Sequence, residues 1–222
     1  ASTALDDSIR LREEDPFTDL LTAIGAASVV VHRSRFEVDL NRPRNEAVYR
    51  NPEDAWGLDL WVQPVSDPEI ERSCMLYDDF YRELGRRLDD VAARGPLVLL
   101  DLHSYNHRRD GADAPSAQPA ANPEINVGTG SLDRDRWGGV VDAFIEALPE
   151  HDVRENVRFR GGELTRWVNA RYPDRGCALA IEFKKTFMDE WTGTLDDDHL
   201  AELRRDLSAM LPALTTTPSG TS

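Results

Sequence analysis

Two short, almost wholly apolar runs limit the folds open to this chain. They are LVLLDL at residues 97–102 and CALAIEF at residues 177–183. Such a run, without regular polar alternation, is typical of a β-strand that is buried on both faces. Helical patterns alternate with these strands, so the sequence predicts an α/β layer fold with a mostly parallel or mixed sheet.

Helical periodicity accounts for much of the remaining chain. Helices are predicted over residues 4–24, 69–94, 135–147 and 196–212. Pro16 interrupts the first of these patterns, and Gly95-Pro96 ends the second. We find no internal repeat and no break in composition, so residues 1–213 are expected to form a single domain.

Three further segments have patterns of their own. ASVVVHRSRFEVDL, residues 27–40, is rich in valine and then alternates, which predicts another strand with Phe36, Val38 and Leu40 on one face. NPEINVGTG, residues 122–130, has the composition of a loop, and residues 108–124 are expected to form a mobile loop. Residues 214–222 are expected to be a disordered tail.

The composition excludes several classes of partner. The formal net charge is −15, which argues against nucleic acid and anionic membranes, because both require a basic surface. No apolar run approaches the roughly 20 residues of a membrane helix. The first residues do not have the pattern of a signal peptide, and the two cysteines form no short-spaced motif. We therefore expect a cytoplasmic protein; the sequence predicts nothing about oligomerisation.

Polar residues at the ends of the predicted strands are the first candidates for chemistry. His103 leaves the strand LVLLDL and could be a metal ligand, a general base or a structural residue. Asp101 lies two residues earlier on the same face, where it could orient His103 or cap a helix. Glu182 interrupts CALAIEF; it must be paired, ligated or exposed, because a buried bare carboxylate is costly. An ion pair and a general acid or base are both open for it.

Asn41 and Arg42 follow the third predicted strand directly. A turn could use them, and so could a site that holds a carboxylate, since a guanidinium pairs with a carboxylate through two hydrogen bonds. Gly161-Gly162 likewise could make a tight turn or allow the backbone to approach a ligand.

Five motifs, taken together and in order, resemble the N-formylglutamate amidohydrolase (deformylase) family. They are SRFEVDLNRP, LLDLHS, NPEINVGTG, FRGGELTR and ALAIEFKKTFMDE, and they extend from residue 34 to about residue 190. The resemblance implies a three-layer, zinc-carboxypeptidase-like (phosphorylase/hydrolase-like) α/β fold with a mixed central sheet flanked by helices. It also implies Zn2+ as cofactor, and a zinc-activated water that attacks the amide of N-formyl-L-glutamate or a close N-acyl acidic amino acid.

The same resemblance implies roles for individual residues. His103 corresponds to a zinc ligand, and Glu182 corresponds to the general base that deprotonates the water. Asp15 aligns best with a carboxylate ligand of the metal, with Glu14 as the neighbouring alternative. Contacts to the substrate are implied for Arg35, Asn41, Arg42, Thr165 and Arg166.

One departure from the family pattern leaves a second hypothesis open. The family has an early histidine motif, expected to supply another zinc ligand, whereas no histidine of this chain precedes His32. We therefore expect the chain to lack the family's N-terminal strand and histidine motif. The alternative hypothesis is a non-catalytic or redirected relative that binds an acidic metabolite.

Overall fold

A mixed four-stranded sheet organises the protein. The computed structural model describes residues 4–25 and 27–216. Over these residues the strands are β1 (Leu97–Tyr105), β2 (Ile125–Gly128), β3 (Val153–Glu155) and β4 (Gly176–Lys184). The strand order is β1-β4-β2-β3, with β1 parallel to β4, β2 parallel to β3, and β2 antiparallel to β4. The predicted α/β class with a mixed sheet is confirmed.

Helices lie between and beside the strands. They are α1 (Asp7–Glu13), α2 (Asp67–Ala92), α3 (Arg134–Glu146), α4 (Glu163–Arg171) and α5 (Asp197–Thr216), with 3-10 helices at Thr18–Ile24, Arg44–Glu46, Pro52–Ala55 and Pro119–Ala121. The four predicted helical regions are confirmed, with Pro16 between α1 and the first 3-10 helix. Ser66 and Glu69 form a capping box at the start of α2. The capping box stabilises the helix because it satisfies backbone N–H groups that the first turn leaves free.

The two faces of the sheet differ because side chains alternate along each strand. On one face, Leu179, Ile181 and Phe183 of β4 join the main core, which also includes buried residues of α3 and α5. On the other face, Leu97 and Ala178 at the beginning of β1 and β4 pack with Val168 and Tyr172, at the end of α4, and with Ala92 of α2. Towards the far ends of the same strands this second face becomes polar.

β4 is buried as predicted, whereas β1 is not. The first six residues of β4 are all buried, and the strand is paired on both sides. β1 pairs with β4 alone among the described strands, and most of its residues are only half-buried. Its apolar composition therefore reflects helices and loops packed on its faces rather than a central position in the sheet.

The strand predicted over residues 27–40 was wrong. Val29, Val30 and Val31 are exposed, and the chain turns after Ser34, whose carbonyl accepts the N–H groups of Glu37 and Val38 at 3.0 and 3.3 Å. The alternation did indicate burial, since Phe36 and Val38 are buried. Strand propensity alone could not supply the neighbouring strand that a ladder requires.

Two further predictions require correction. NPEINVGTG contains β2, all four residues of which are buried, so its loop-like composition was misleading. α5 continues to Thr216, so residues 214–216 are helical although we predicted a disordered tail from residue 214. The rest of that tail, residues 217–222, lies outside the described residues.

A helix crosses a membrane only if it is long and apolar enough. Within the described ranges, none is both long enough and apolar enough to cross a bilayer.

One ion-pair cluster links α5 to the loop before β2 and makes stability depend on pH. His151 Nδ1 lies 2.9 Å from Glu124 Oε1, and its Nε2 lies 3.2 Å from Asp206 Oδ2. Burial opposes the imidazolium, but these two carboxylates outweigh it and raise the pKa of His151.

We predict that His151→Gln lowers the free energy of unfolding at about pH 6 by about 1 kcal/mol. Because the folded pKa is raised, this contribution is complete below the usual histidine pKa and disappears as the pH rises through the folded pKa. Urea unfolding at about pH 6 and at about pH 9 measures it. The exposed His32 provides the control His32→Gln, and an equal loss for His151→Gln at both pH values would contradict the prediction.

Candidate active site

The register of β1 and β4 places His103 beside Glu182. The two residues are partners in the parallel pairing, and Glu182 is also the partner of Asn126 in β2. Residues at the same level of a sheet point to the same face, as does Asp101 two residues before His103. The polar end of the second face therefore brings together an imidazole, two carboxylates and an amide.

The imidazole of His103 lies between two carboxylates. Its Nδ1 is 3.2 Å from Asp15 Oδ2, and its Nε2 is 3.1 Å from Asp101 Oδ1. The Nδ2 of Asn41 also lies 3.1 Å from Nε2. Burial opposes protonation, but Asp101 and Asp15 raise the pKa of His103 well above its usual range. Partners at both nitrogens fix the orientation of the ring.

Asp15 reaches the end of β1 from the segment that follows α1. Its Oδ1 accepts the backbone N–H of Ser104 at 2.7 Å. Burial acts to raise the pKa of Asp15, but His103 and Arg35 lower it well below its usual range. Glu14 instead lies 2.8 Å from Arg10 Nη1. Of the two carboxylates that the sequence left open, Asp15 is therefore the one that contacts His103.

Glu182 is the carboxylate that is least stabilised as an anion. Burial raises its pKa to about 7, with the charge of His103 opposing and those of Asp15 and Asp101 adding to the rise. No donor in the described part of the chain hydrogen-bonds its carboxylate. Glu182 is thus not the partner of an arginine, and it can exchange a proton near neutral pH.

Asn41 joins the site to α4. Its Oδ1 accepts the N–H of Leu164 at 3.2 Å, and its backbone carbonyl accepts the N–H of Glu163 at 3.0 Å. A Cβ atom at Gly162 would lie 2.1 Å from Asn41 Oδ1. Glycine is therefore required here because Asn41 packs against the backbone that leads into α4.

Arg35 and Arg42 approach the same carboxylate from the loop that replaces the predicted strand. Arg35 Nη2 donates to Asp39 Oδ2 at 3.0 Å, and its Nη1 lies 3.8 Å from Asp15 Oδ2. Arg42 is more loosely held, with Nε 3.8 Å from Asp39 Oδ2. Its guanidinium stacks over the rings of Tyr49 at 4.5 Å and Trp56 at 5.9 Å, so most of its hydrogen-bonding capacity remains available.

Two of the predicted substrate contacts are occupied by other partners. The hydroxyl of Thr165 donates to the carbonyl of Gly162 at 3.1 Å, and the residue is 1% exposed. Arg166 binds Glu163 through Nε at 3.1 Å and Nη2 at 2.8 Å. The structure therefore brings together Asp15, Asn41, His103 and Glu182 with Arg35, but gives Thr165 and Arg166 local roles at the start of α4.

Sequence reasoning missed Asp39, which organises the loop that carries Arg35 and Arg42. Asp39 is 2% exposed and accepts hydrogen bonds from Arg35, the Tyr49 hydroxyl and the backbone N–H of Asn41. Arg35 and these hydrogen bonds outweigh burial and lower its pKa. The alternating pattern put Asp39 on the polar face, and no signal in that pattern distinguished a buried aspartate from a solvated one.

The side-chain groups around His103 are of the types that bind zinc. His103 Nδ1 and Asp15 Oδ2 converge, and imidazole nitrogen and carboxylate oxygen are both zinc ligands. The buried Oδ2 of Asp101 has no hydrogen-bond partner in the described chain, so the region has capacity for a cation. No group of three or more His, Cys, Asp or Glu residues is arranged to hold a metal within residues 4–25 and 27–216.

Known proteins resemble the chain in both sequence and fold. An N-formylglutamate deformylase of Pseudomonas aeruginosa is 25% identical over 203 residues, covering 84% of this chain and 74% of that protein. The crystal structure of an N-formylglutamate amidohydrolase from Ralstonia eutropha matches 97% of this chain and 86% of its own, with a TM-score of 0.76 at 20% identity.

A gene product of Agrobacterium tumefaciens has a similar fold, with a TM-score of 0.62 at 18% identity; the match covers 96% of this chain and 84% of that one. At these identities the two solved structures support the fold alone. The sequence model of the N-formylglutamate amidohydrolase family matches residues 1–188. The match includes the segments that carry Asp15, Asn41, His103 and Glu182, and the chain belongs to this family.

Proposed function

We propose that the protein is a zinc-dependent hydrolase that cleaves the formamide bond of N-formyl-L-glutamate, or the amide of a close N-acyl amino acid. Family membership and the name of the Pseudomonas aeruginosa relative support the reaction class. The observation that carries the proposal is the placement of Glu182, with its raised pKa, beside His103 and Asp15. Water and the amide yield formate and a free amine.

His103 and Asp15 are the proposed zinc ligands. Zinc bound there would lower the pKa of water and polarise the carbonyl of the substrate. Asp101 holds the imidazole from Nε2, which leaves Nδ1 and Asp15 for the metal. His103 Nδ1 and Asp15 Oδ2 lie 3.2 Å apart, so both proposed metal-binding atoms are at the same edge of the imidazole ring.

Glu182 is the proposed proton carrier. Its pKa of about 7 lies near the operating pH, where a general base is most efficient. It takes a proton from the attacking water and gives it to the departing nitrogen. The amine then leaves as a neutral group instead of an unstable amide anion.

Arg42 and Arg35 are the proposed anchors for the carboxylates of the substrate. The chain as a whole is strongly acidic, with a net charge of −15, so an acidic substrate needs a local cationic group. Arg42 carries most of this role, since its guanidinium rests on aromatic rings and is not committed to a close ion pair. Arg35, Asn41, Thr165 and Arg166 have less support as contacts, because each already has a partner within the protein.

We also propose that the fold is a three-layer, carboxypeptidase-like arrangement. Helices against both faces of a mixed sheet support it.

The alternative function is binding of an acidic metabolite without turnover. It is favoured because the proposed zinc site has two ligands, His103 and Asp15, and the described residues form no group of three or more such ligands. Release of formate from N-formyl-L-glutamate by zinc-loaded protein distinguishes the two functions: the enzyme turns over, whereas the alternative binds the same compound unchanged.

His103→Ala should remove bound zinc and nearly all hydrolysis, because the variant loses one of two metal donors. His107→Ala is the matched control, since His107 follows β1 and its Nδ1 faces Ser116 instead of Asp15. Metal analysis and circular dichroism on both variants measure the effect. Stoichiometric zinc in folded His103→Ala would overturn the ligand role.

Glu182→Gln preserves the shape of the side chain but cannot accept a proton. We expect kcat to fall by at least about 100-fold, as is typical of general bases, while the zinc content is unchanged. Steady-state kinetics with metal analysis test this. If the variant keeps a kcat near the wild-type value, another residue deprotonates the water.

Arg42→Lys retains the charge but loses the planar pair of donors. A lost charged hydrogen bond predicts a decrease in kcat/KM of about 10- to 150-fold. Substrates with an amide in place of the bound carboxylate should lose less, and Tm should change little. The control is Arg44→Lys, because Arg44 instead binds the exposed Asp78 at 2.6 and 2.8 Å. An equal loss on both substrates with a fall in Tm would refute the anchor.

A further inference from the structure

Lys185 holds a buried ammonium group next to the site. The residue is 1% exposed. Its Nζ donates to the backbone carbonyl of Glu14 at 2.8 Å, to Asn106 Oδ1 at 3.0 Å and to the backbone carbonyl of Arg12. Three acceptors match the three donors of an ammonium group, so its hydrogen-bonding capacity is filled by protein atoms.

These contacts join the three chain segments that carry the proposed catalytic groups. Lys185 itself follows Glu182 by three residues at the end of β4, and Asn106 follows His103 by three residues after β1. The carbonyl of Glu14 belongs to the peptide bond that leads directly into Asp15. The backbone N–H of Lys185 also donates to Tyr105 at 3.0 Å, which locks the ends of the two strands together.

The energetics of burial argue against a purely stabilising role. Burial lowers the pKa of Lys185 to about 8, although Asp15, Glu13 and Glu190 favour the charge. A buried cation rarely adds net stability compared with a well-packed apolar side chain, and its better-attested use is to specify one arrangement. The arrangement specified here is the last turn of α1 and its exit into Asp15, because Arg12 lies in that turn and Glu14 directly follows it.

We propose that Lys185 is a positioning residue, which holds the backbone before Asp15 against the end of β1 so that the Asp15 carboxylate meets His103. The effect on catalysis rests on the proposed function, whereas the effect on the segment before Asp15 does not. Lys184 is a matched neighbour with a different task. Its Nζ donates to the carbonyl of Asn122 at 3.3 Å.

The test compares Lys185→Met with Lys184→Met in the full chain. Removal of a group that orients a metal ligand typically costs about 10- to 100-fold in metal affinity or activity. For Lys185→Met we expect a loss of this size in zinc affinity and in kcat, with KM changed less than about two-fold. We also expect faster hydrogen exchange in the peptide that spans residues 12–18. Lys184→Met should match the wild type in all three measurements.

The measurements separate failure of this proposal from failure of the proposed function. If wild-type protein releases no formate, the function fails, and hydrogen exchange together with zinc affinity still decides the role of Lys185. A folded Lys185→Met protein with a lower Tm but wild-type zinc affinity, kcat and exchange at residues 12–18 would overturn the proposal. If Lys185→Met does not fold, Lys185→Gln replaces it, since an amide can still donate to one carbonyl, and the same criteria apply.

Discussion

The parallel pairing of β1 with β4 is the interaction on which the candidate site depends. Leu179, Ile181 and Phe183 fix the register, because they fill the core on one face of the sheet. A slip of one residue would put an apolar side chain beside His103 and turn Glu182 into that core, at the cost of burying a charge. The hydrophobic effect on one face therefore sets the separation of the polar groups on the other.

The carboxylates of the site differ in pKa because their neighbours differ. Asp15 and Asp39 lie near Arg35 and accept hydrogen bonds, which keeps both ionised. Glu182 is buried, and no cation among the described residues donates a hydrogen bond to it, so its pKa rises to about 7. When two acids of similar chemistry have pKa values moved apart by their surroundings, one is suited to hold a charge and the other to carry a proton.

The parts of the structure that the sequence predicted well are those in which local pattern and tertiary context agree. The central strand β4 and the long helix α2 have strong periodicity and clear end signals, and His103 and Glu182 followed from interruptions in apolar runs. Residues 27–40 and β2 were predicted wrongly, because the absence of a pairing partner for the first among the described residues and its presence for the second override local propensity. Asp39 escaped notice because an alternating pattern does not distinguish a buried aspartate from a solvated one. Lys185 escaped notice because its acceptors, in Arg12, Glu14 and Asn106, are far away in the sequence.

Half of the candidate site is built on a sheet, and half on chain with little regular structure. His103 and Glu182 lie on paired strands, whereas Asp15, Arg35 and Asp39 lie outside the strands and helices, in segments held by isolated backbone and side-chain hydrogen bonds. Segments of that kind open at lower free energy than the strands beside them. Mild heat or denaturant would therefore disassemble the candidate site while the sheet remains intact, and loss of activity would precede loss of the folded signal.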